Sequence, residues 1–255
     1  MHKWQVAVAT NHPKLLYLIV ELLKELEVSF VICPPECPEA TNASIVMTTA
    51  EEVNQSPLEN KLILDVGFNP DLIGIELRSR LSGIETPTTA FIGIDPGMSY
   101  GIALVLQGVP IFQRVHKSPH EAGKLVLALA GYVHTLFPQC KTVVRIGRGS
   151  KVFMALLLRE LETHQDTIRI ELVNEDHTTL SGGHNADTVS ALIIAGRLGH
   201  PVTDHDLVIT DKSGNIRIIK NLVSRLTQGQ REITTDEARA VIAGDMSLTS
   251  VLDIS

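Results

Sequence analysis

Cysteine, long apolar runs and positive charge are all scarce in this 255-residue chain, and each scarcity removes a class of protein. Cys33, Cys37 and Cys140 are too few for a disulfide framework. Cys33-Pro34-Pro35-Glu36-Cys37 also lacks the second ligand pair that a zinc site needs. No apolar run reaches the roughly 18–20 residues that span a bilayer, so no membrane partner is expected. Met1-His2-Lys3-Trp4 opens into a strand-like segment without a signal-peptide pattern, and a cytoplasmic location is the expectation. The net charge of −7 argues against a tight non-specific nucleic-acid binder but leaves room for a local basic surface. Glycine is missing where a dinucleotide fingerprint would require it, since Thr10-Asn11-His12-Pro13 follows the first apolar run. There is no internal repeat.

What is present suits a large soluble core: 44% of the residues are hydrophobic, enough for one large domain or two smaller ones. Trp4 to Ala9 reads as a buried strand, and Leu15, Ile19, Leu22, Leu23 and Leu26 recur at helical spacing behind Asn11 and Pro13, a cap and first-turn pair. Ser29 to Ile32, Ser44 to Met47 and Leu62 to Val66 are further strand-like runs. Residues 1–85 are therefore expected to form a small parallel α/β domain. Arg78 to Thr89, rich in Ser, Gly, Thr and Pro, reads as a linker.

From Phe91 the pattern changes to three apolar runs, Phe91–Ile94, Ile102–Leu106 and Val109–Val115, joined by Pro-Gly and Gln-Gly turns. Such short connections suit antiparallel neighbours, because parallel strands need a longer crossover. A helix through Leu125, Leu129 and Val133, a strand Thr142–Ile146, a helix around Val152–Leu161, a strand Ile168–Val173 and a helix from Asn185 to Leu198 follow. The expected fold class is α/β, a mixed sheet flanked by helices over residues 90–205, preceded by the small parallel domain. Residues 206–255 read as a mainly helical C-terminal extension, with a β-like pair across Lys212-Ser213-Gly214-Asn215 and helices from Ile219 and Thr235.

The chemistry concentrates around Gly93-Ile94-Asp95-Pro96-Gly97, which puts a carboxylate at the inner end of a buried strand. There an ionised group is costly unless a metal or hydrogen bonds offset it; the plain alternative is an Asp that shapes a turn. Glu175 and Asp176, just past the strand Ile168–Val173, and Asp187, at the start of the next helix, would lie on the same sheet edge. His184 precedes Asp187 by one helical turn. Clustered carboxylates are the usual way to hold Mg²⁺ or Mn²⁺ beside phosphates. Individually, each of these residues also has a structural account, as a helix-terminal acid, a solvated loop or a turn histidine.

Gly-Ile-Asp-Pro-Gly with the following Gly101, and the succession of three strands, helix, strand, helix, strand, helix, resemble the ribonuclease H-like fold over residues 90–200. Within it the likeness is to the RuvC Holliday-junction resolvases and their YqgF relatives. Asn174-Glu175-Asp176-His177-Thr178-Thr179 looks like an acidic segment of the YqgF branch, with Asp176 where that pattern has Arg. His184-Asn185-Ala186-Asp187 is similar to the closing helix of RuvC proteins. The strand Val143–Ile146 lacks the acid of true RuvC resolvases. The resemblance implies Asp95, Glu175 and Asp187 as catalytic acids, and these three with His184 as ligands of Mg²⁺ or Mn²⁺.

Arg145-Ile146-Gly147-Arg148-Gly149-Ser150-Lys151 ends the fourth strand with three cations and two glycines ahead of a helix, a phosphate-friendly loop. Arg145, Arg148, Ser150 and Lys151 are the expected nucleic-acid contacts. Lys220, Arg225 and Arg231 in the C-terminal segment offer a clamp or homodimer element, with solvated helix surface as the plainer account. The expected function is a metal-dependent nuclease (a hydrolase) acting on branched DNA or structured RNA, resembling a Holliday-junction resolvase. The alternatives are an inactive nucleic-acid- or protein-binding relative with the same fold and, third, an actin-like ATPase or kinase, which would require a second copy of the fold.

Overall fold

The computed structural model describes residues 4–37, 43–55, 60–162, 168–174 and 186–252. The chain divides into two compact units, residues 1–85 and 86–255. Among the described residues no helix is long and apolar enough to cross a membrane.

The first unit contains β1 (Val6–Ala9), α1 (Pro13–Glu25), β2 (Phe30–Cys33), β3 (Ile45–Thr48), β4 (Lys61–Ile63) and α2 (Pro70–Leu81). Its four strands form an all-parallel sheet in the order β2-β1-β3-β4. Alternate residues Val6, Val8, Ile45, Met47 and Leu62 meet Leu15, Ile19 and Leu23 of α1 and Ile73 and Leu77 of α2 in one core. The cap of α1 lies one position later than Asn11: the His12 ring accepts the Leu15 N–H at 3.3 Å, with Pro13 in the first turn. The Asn11 N–H instead donates to Glu52 at 2.7 Å. Arg78 to Leu81, expected in a linker, are the last turn of α2. That helix is capped by Asn69, and its buried Ile73 and Leu77 draw it onto the unit's core.

The second unit is built on β5 (Thr89–Pro96), β6 (Tyr100–Leu106), β7 (Val109–His116), α3 (Pro119–Leu136), β8 (Lys141–Gly147), α4 (Lys151–Leu161), β9 (Arg169–Val173) and α5 (Ala186–Gly196). A two-residue strand, β10 (His200–Pro201), and four helices follow: α6 (Asp204–Leu207), α7 (Ser213–Leu226), α8 (Thr235–Ala243) and α9 (Leu248–Leu252). The mixed sheet has the order β10-β9-β8-β5-β6-β7. β5, β6 and β7 form the antiparallel meander, and β8 and β9 add in parallel on the other side of β5. Gln107 and Gly108, with φ of 50° and 81°, make the tight turn between β6 and β7, where both central residues must be left-handed. β10, antiparallel on the β9 edge, has no counterpart in the sequence reading.

The β-like pair across residues 212–215 does not form, because Ser213, Gly214 and Asn215 begin α7. The Asn215 amide donates to the Thr210 carbonyl at 2.8 Å, and Ile219, Leu222 and Val223 bury one stripe of the helix. Helical burial outweighs the local turn chemistry there.

One face of the sheet carries α5. An added Cβ at Gly93 would sit 2.0 Å from the Ala191 carbonyl oxygen and 2.6 Å from the Ala195 nitrogen, so the helix backbone rests directly on the strand. The even-numbered residues Ile92 and Ile94 point to the opposite face, where the Tyr100 hydroxyl donates to the Phe153 carbonyl of α4 at 3.2 Å. Gly93→Ala is expected to destabilise the protein by about 3 kcal/mol, because backbone must shift to admit the methyl group. Gly131→Ala, with no atom within 4 Å of its added Cβ inside α3, should instead stabilise by about 0.5–1 kcal/mol. Urea midpoints of the two variants, read by far-ultraviolet circular dichroism, check the contrast.

Candidate functional site

The carboxyl ends of β5, β7, β8 and β9 lie on one edge of the sheet, where ligands of α/β proteins commonly bind. β5 runs one residue past Asp95, since Pro96 still pairs with Tyr100; the turn then closes through a Gly97 N–H bond to the Ser99 carbonyl at 3.0 Å. Asp95 is half-buried and directly opposite Gly101. Opposed residues of an antiparallel pair project to the same face. A Cβ at Gly101 would lie 2.1 Å from the Asp187 carbonyl oxygen and 3.0 Å from the Asp187 Cβ. The glycine thus admits the first turn of α5 and sets Asp187, which is exposed, beside the rung that carries Asp95.

Of the four predicted acidic-site residues, the structure brings Asp95 and Asp187 together; Glu175 and His184 lie outside the described residues, as does Asp176. Among the described residues no group of three His, Cys, Asp or Glu side chains is poised to hold a metal ion. The pair that is present, Asp95 on the β5–β6 rung and the exposed Asp187 on the turn of α5 packed against Gly101, offers oxygen donors, the type a hard cation takes.

The basic loop divides in two. Arg145, predicted to contact phosphate, is only 7% exposed and serves the core instead. Its Nε donates to Glu171 at 3.0 Å, its Nη1 donates to the Ala195 carbonyl at 2.7 Å, and its guanidinium stacks 4.0 Å from the Phe91 ring centroid. A side chain so committed ties β8 to β9 and to the last turn of α5, and that corrects its expected role. Glu171 also takes an ion pair from Arg169 at 2.7 Å.

Arg148, Ser150 and Lys151 stay at the sheet edge. Arg148 is exposed, with its N–H bonded to the Val173 carbonyl at 3.1 Å. Its guanidinium meets Asp206 at 3.4 Å and the His200 Nε2 at 3.2 Å. Because the His200 Nδ1 must donate to the Pro201 carbonyl at 3.1 Å, Nε2 is the acceptor for Arg148. Ser150 is the residue before α4, without a side-chain capping bond, and Lys151 opens the helix on the exposed side.

Two residues of the C-terminal segment join this edge: Asp206, the third-position acid of the Thr203 capping box that starts α6, and Arg225, expected as part of a clamp or homodimer element. Asp206, buried, accepts from the Thr203 amide at 2.9 Å and hydroxyl at 2.7 Å as well as from Arg148. Arg225 donates to the carbonyls of Met98 and Lys117, in the loops after β5 and β7. Its partners are backbone atoms, which carry no residue signature.

Burial alone would push the Asp206 carboxyl up, but the Thr203 hydroxyl and amide, then Arg148 and His200, outweigh it and hold the carboxyl below its ordinary range. Stability from a lowered carboxyl is complete above its unfolded value, about 4, and is lost as pH falls through the lower folded value. Asp206→Asn is expected to cost about 2 kcal/mol at neutral pH. The gap to wild type should narrow as pH falls below the unfolded value in urea-melt comparisons. No family model, no curated protein and no solved structure matches this chain.

Proposed function

We propose that the second unit is a ribonuclease H-like domain of the RuvC and YqgF kind, a hydrolase that cleaves phosphodiester bonds in branched DNA or structured RNA with Mg²⁺ or Mn²⁺. The observation that carries this reading is the placement of Asp187 on the Asp95–Gly101 rung. Support also comes from the strand order β7-β6-β5-β8-β9, a meander followed by two parallel strands with the acid at the end of the central one. Glu175 and His184 complete the proposed ligand set.

In this reading Asp95 and Asp187 bind the cations and fix their position against the scissile phosphate. Divalent ions held by these residues would supply the acidity that activates a water and the charge that stabilises the leaving oxygen. Lys151, at the start of α4, and Arg148, steered by Asp206, orient the nucleic-acid backbone from the neighbouring strand end. The half-burial of Asp95 under α5 limits the water around it, which strengthens its pull on a cation.

A binding relative without catalysis is favoured by one observation, the withdrawal of Arg145 from the surface of a chain already at net charge −7. The actin-like alternative loses ground because the first unit's all-parallel sheet is no second copy of the meander.

Wild type with Mn²⁺ is expected to cut four-way junction DNA or a structured RNA, and EDTA to abolish the cut. Asp95→Asn should lower the rate at least about a hundredfold while junction binding persists. Binding without cutting by wild type would leave the non-catalytic reading in its place. Equal cutting by the variant would sink the metal site.

A further inference from the structure

Arg225 sits on α7, a helix anchored through the buried Ile219, Leu222 and Val223 and packed on α8 and α9. From there its Nη1 donates to the Met98 carbonyl, and its Nη2 donates to the Lys117 carbonyl at 3.0 Å. Met98 is separated from Arg225 by 127 residues and Lys117 by 108. The two acceptors lie in different loops, one between β5 and β6 and one between β7 and α3, both on the edge that carries Asp95. One planar guanidinium fork thus bridges the two loops, a geometry that a lysine ammonium cannot reproduce.

The β5–β6 turn is flanked by the Pro96–Tyr100 rung, but its three residues, Gly97 to Ser99, project beyond the ladder. Its own closing bond is the Gly97 N–H to the Ser99 carbonyl, and the Met98 side chain is 56% exposed, so the turn gains no anchor from packing that side chain. Asp95 lies two residues before Gly97 on the same hairpin, and its carboxylate can face Asp187 only if the hairpin end stays in place. The Arg225 Nε is buried and has no hydrogen-bond partner among the described residues. The guanidinium is therefore placed for its two carbonyl contacts at the expense of its third donor.

We infer that Arg225 is a positioning residue for the candidate metal site: through the Met98 and Lys117 carbonyls it locks the turn after Asp95 and so sets Asp95 against Asp187. This rests on the reading of Asp95 and Asp187 as ligands of one cation site. It makes α7 part of the site's architecture, although the helix contributes no ligand.

The full-length protein tests this with two readouts that need no turnover. Mn²⁺ affinity, measured with the metal alone by water-proton relaxation, should fall about tenfold in Arg225→Ala, the scale on which supporting contacts to metal ligands act. Arg225→Lys should recover part of the loss, and added ethylguanidine should restore binding to Arg225→Ala but leave Asp95→Asn unchanged. Amide hydrogen exchange of Gly97, Ser99 and Tyr100 should quicken in Arg225→Ala without metal. Arg231→Ala, which breaks the 3.2 Å pair with Glu237 in the same segment, should change neither. If wild type and Asp95→Asn bind Mn²⁺ equally, the ligand reading fails, and exchange alone decides whether Arg225 holds the turn. If wild type binds through Asp95 and Arg225→Ala binds as tightly, the inference is overturned; so it is if Arg231→Ala weakens binding equally. Should Arg225→Ala fail to fold, Arg225→Lys and Arg225→Gln carry the same comparison.

Discussion

The second unit depends on how closely the backbone of α5 lies on the sheet. Gly93 and Gly101 leave room for it: with a side chain at either position, the added carbon would stand about 2 Å from a helix carbonyl oxygen, far inside contact distance. Glycine in a strand costs about 0.5–1 kcal/mol of conformational freedom relative to alanine. Two of them on adjacent strands, on the same face, make sense where a helix must descend onto that face. Arg145 holds the other end. Its bond to the Ala195 carbonyl satisfies one of the acceptors left open in the last turn of α5, and a cation there complements the helix dipole. With Glu171 it forms an almost fully buried ion pair, whose worth lies less in net stability than in the cost, about 3–5 kcal/mol, of leaving either charge alone. The helix is thus defined at its start by a glycine and at its end by an arginine, and its first acid falls beside Asp95.

What the sequence makes legible follows from which forces act locally. Phe91–Ile94, Ile102–Leu106, Val109–Val115, Thr142–Ile146 and Ile168–Val173 are short apolar runs with turn residues between them, and all five are strands. Short connections forced the meander, and longer ones the parallel pair, so the architecture could be read from spacing alone. Asp95 was legible because strand burial makes an acid conspicuous; Asp187 because a helix start attracts acids. Arg145 was misread because its neighbours Gly147, Arg148 and Lys151 suggest phosphate chemistry, whereas its position alternates with Val143 on one face of β8. A second signal was available: Arg145 and Glu171 occupy matched positions on adjacent parallel strands, a register visible once both strands are aligned. The turn assigned to Lys212-Ser213-Gly214-Asn215 failed for the opposite reason. Turn-forming side chains there were outweighed by the apolar stripe of the helix that begins among them.

The C-terminal segment shows a kind of information that sequence reading does not reach. Arg159 of α4 donates to the carbonyls of Val241, Ile242 and Leu207, and Arg197 donates to the carbonyl of Asn174. Together with Arg225, these arginines bind helices and strand ends by their backbones. Every residue has a carbonyl, so the acceptor leaves no mark in the sequence, and the donor looks like any surface cation. The energetics still favour arginine at such points, because its fork meets two acceptors for one side chain's loss of freedom and its charge strengthens each bond.

This arrangement changes what acidity and basicity mean in the chain. A net charge of −7 suggested a protein poor in nucleic-acid contacts, yet cations that would count toward a basic surface are spent inside the second unit, with Arg145 on Glu171 and Arg159 and Arg225 on carbonyls. Arg148 and Lys151 are the cations of the Arg145–Lys151 loop that still face solvent at the edge shared with Asp95. Any electrostatic attraction of this edge to a phosphate backbone, as proposed, would therefore be local, two charges beside two acids, and weak under salt screening. If the proposed cation binds between Asp95 and Asp187, it would turn a repulsive pair of carboxylates into an attractive point for phosphate, and that local effect would outweigh long-range pull. Under the proposed nuclease reading, cation binding and nucleic-acid binding are consequently coupled: the acids attract a cation and repel phosphate, and a bound cation removes that repulsion while the phosphate adds oxygen ligands for the cation.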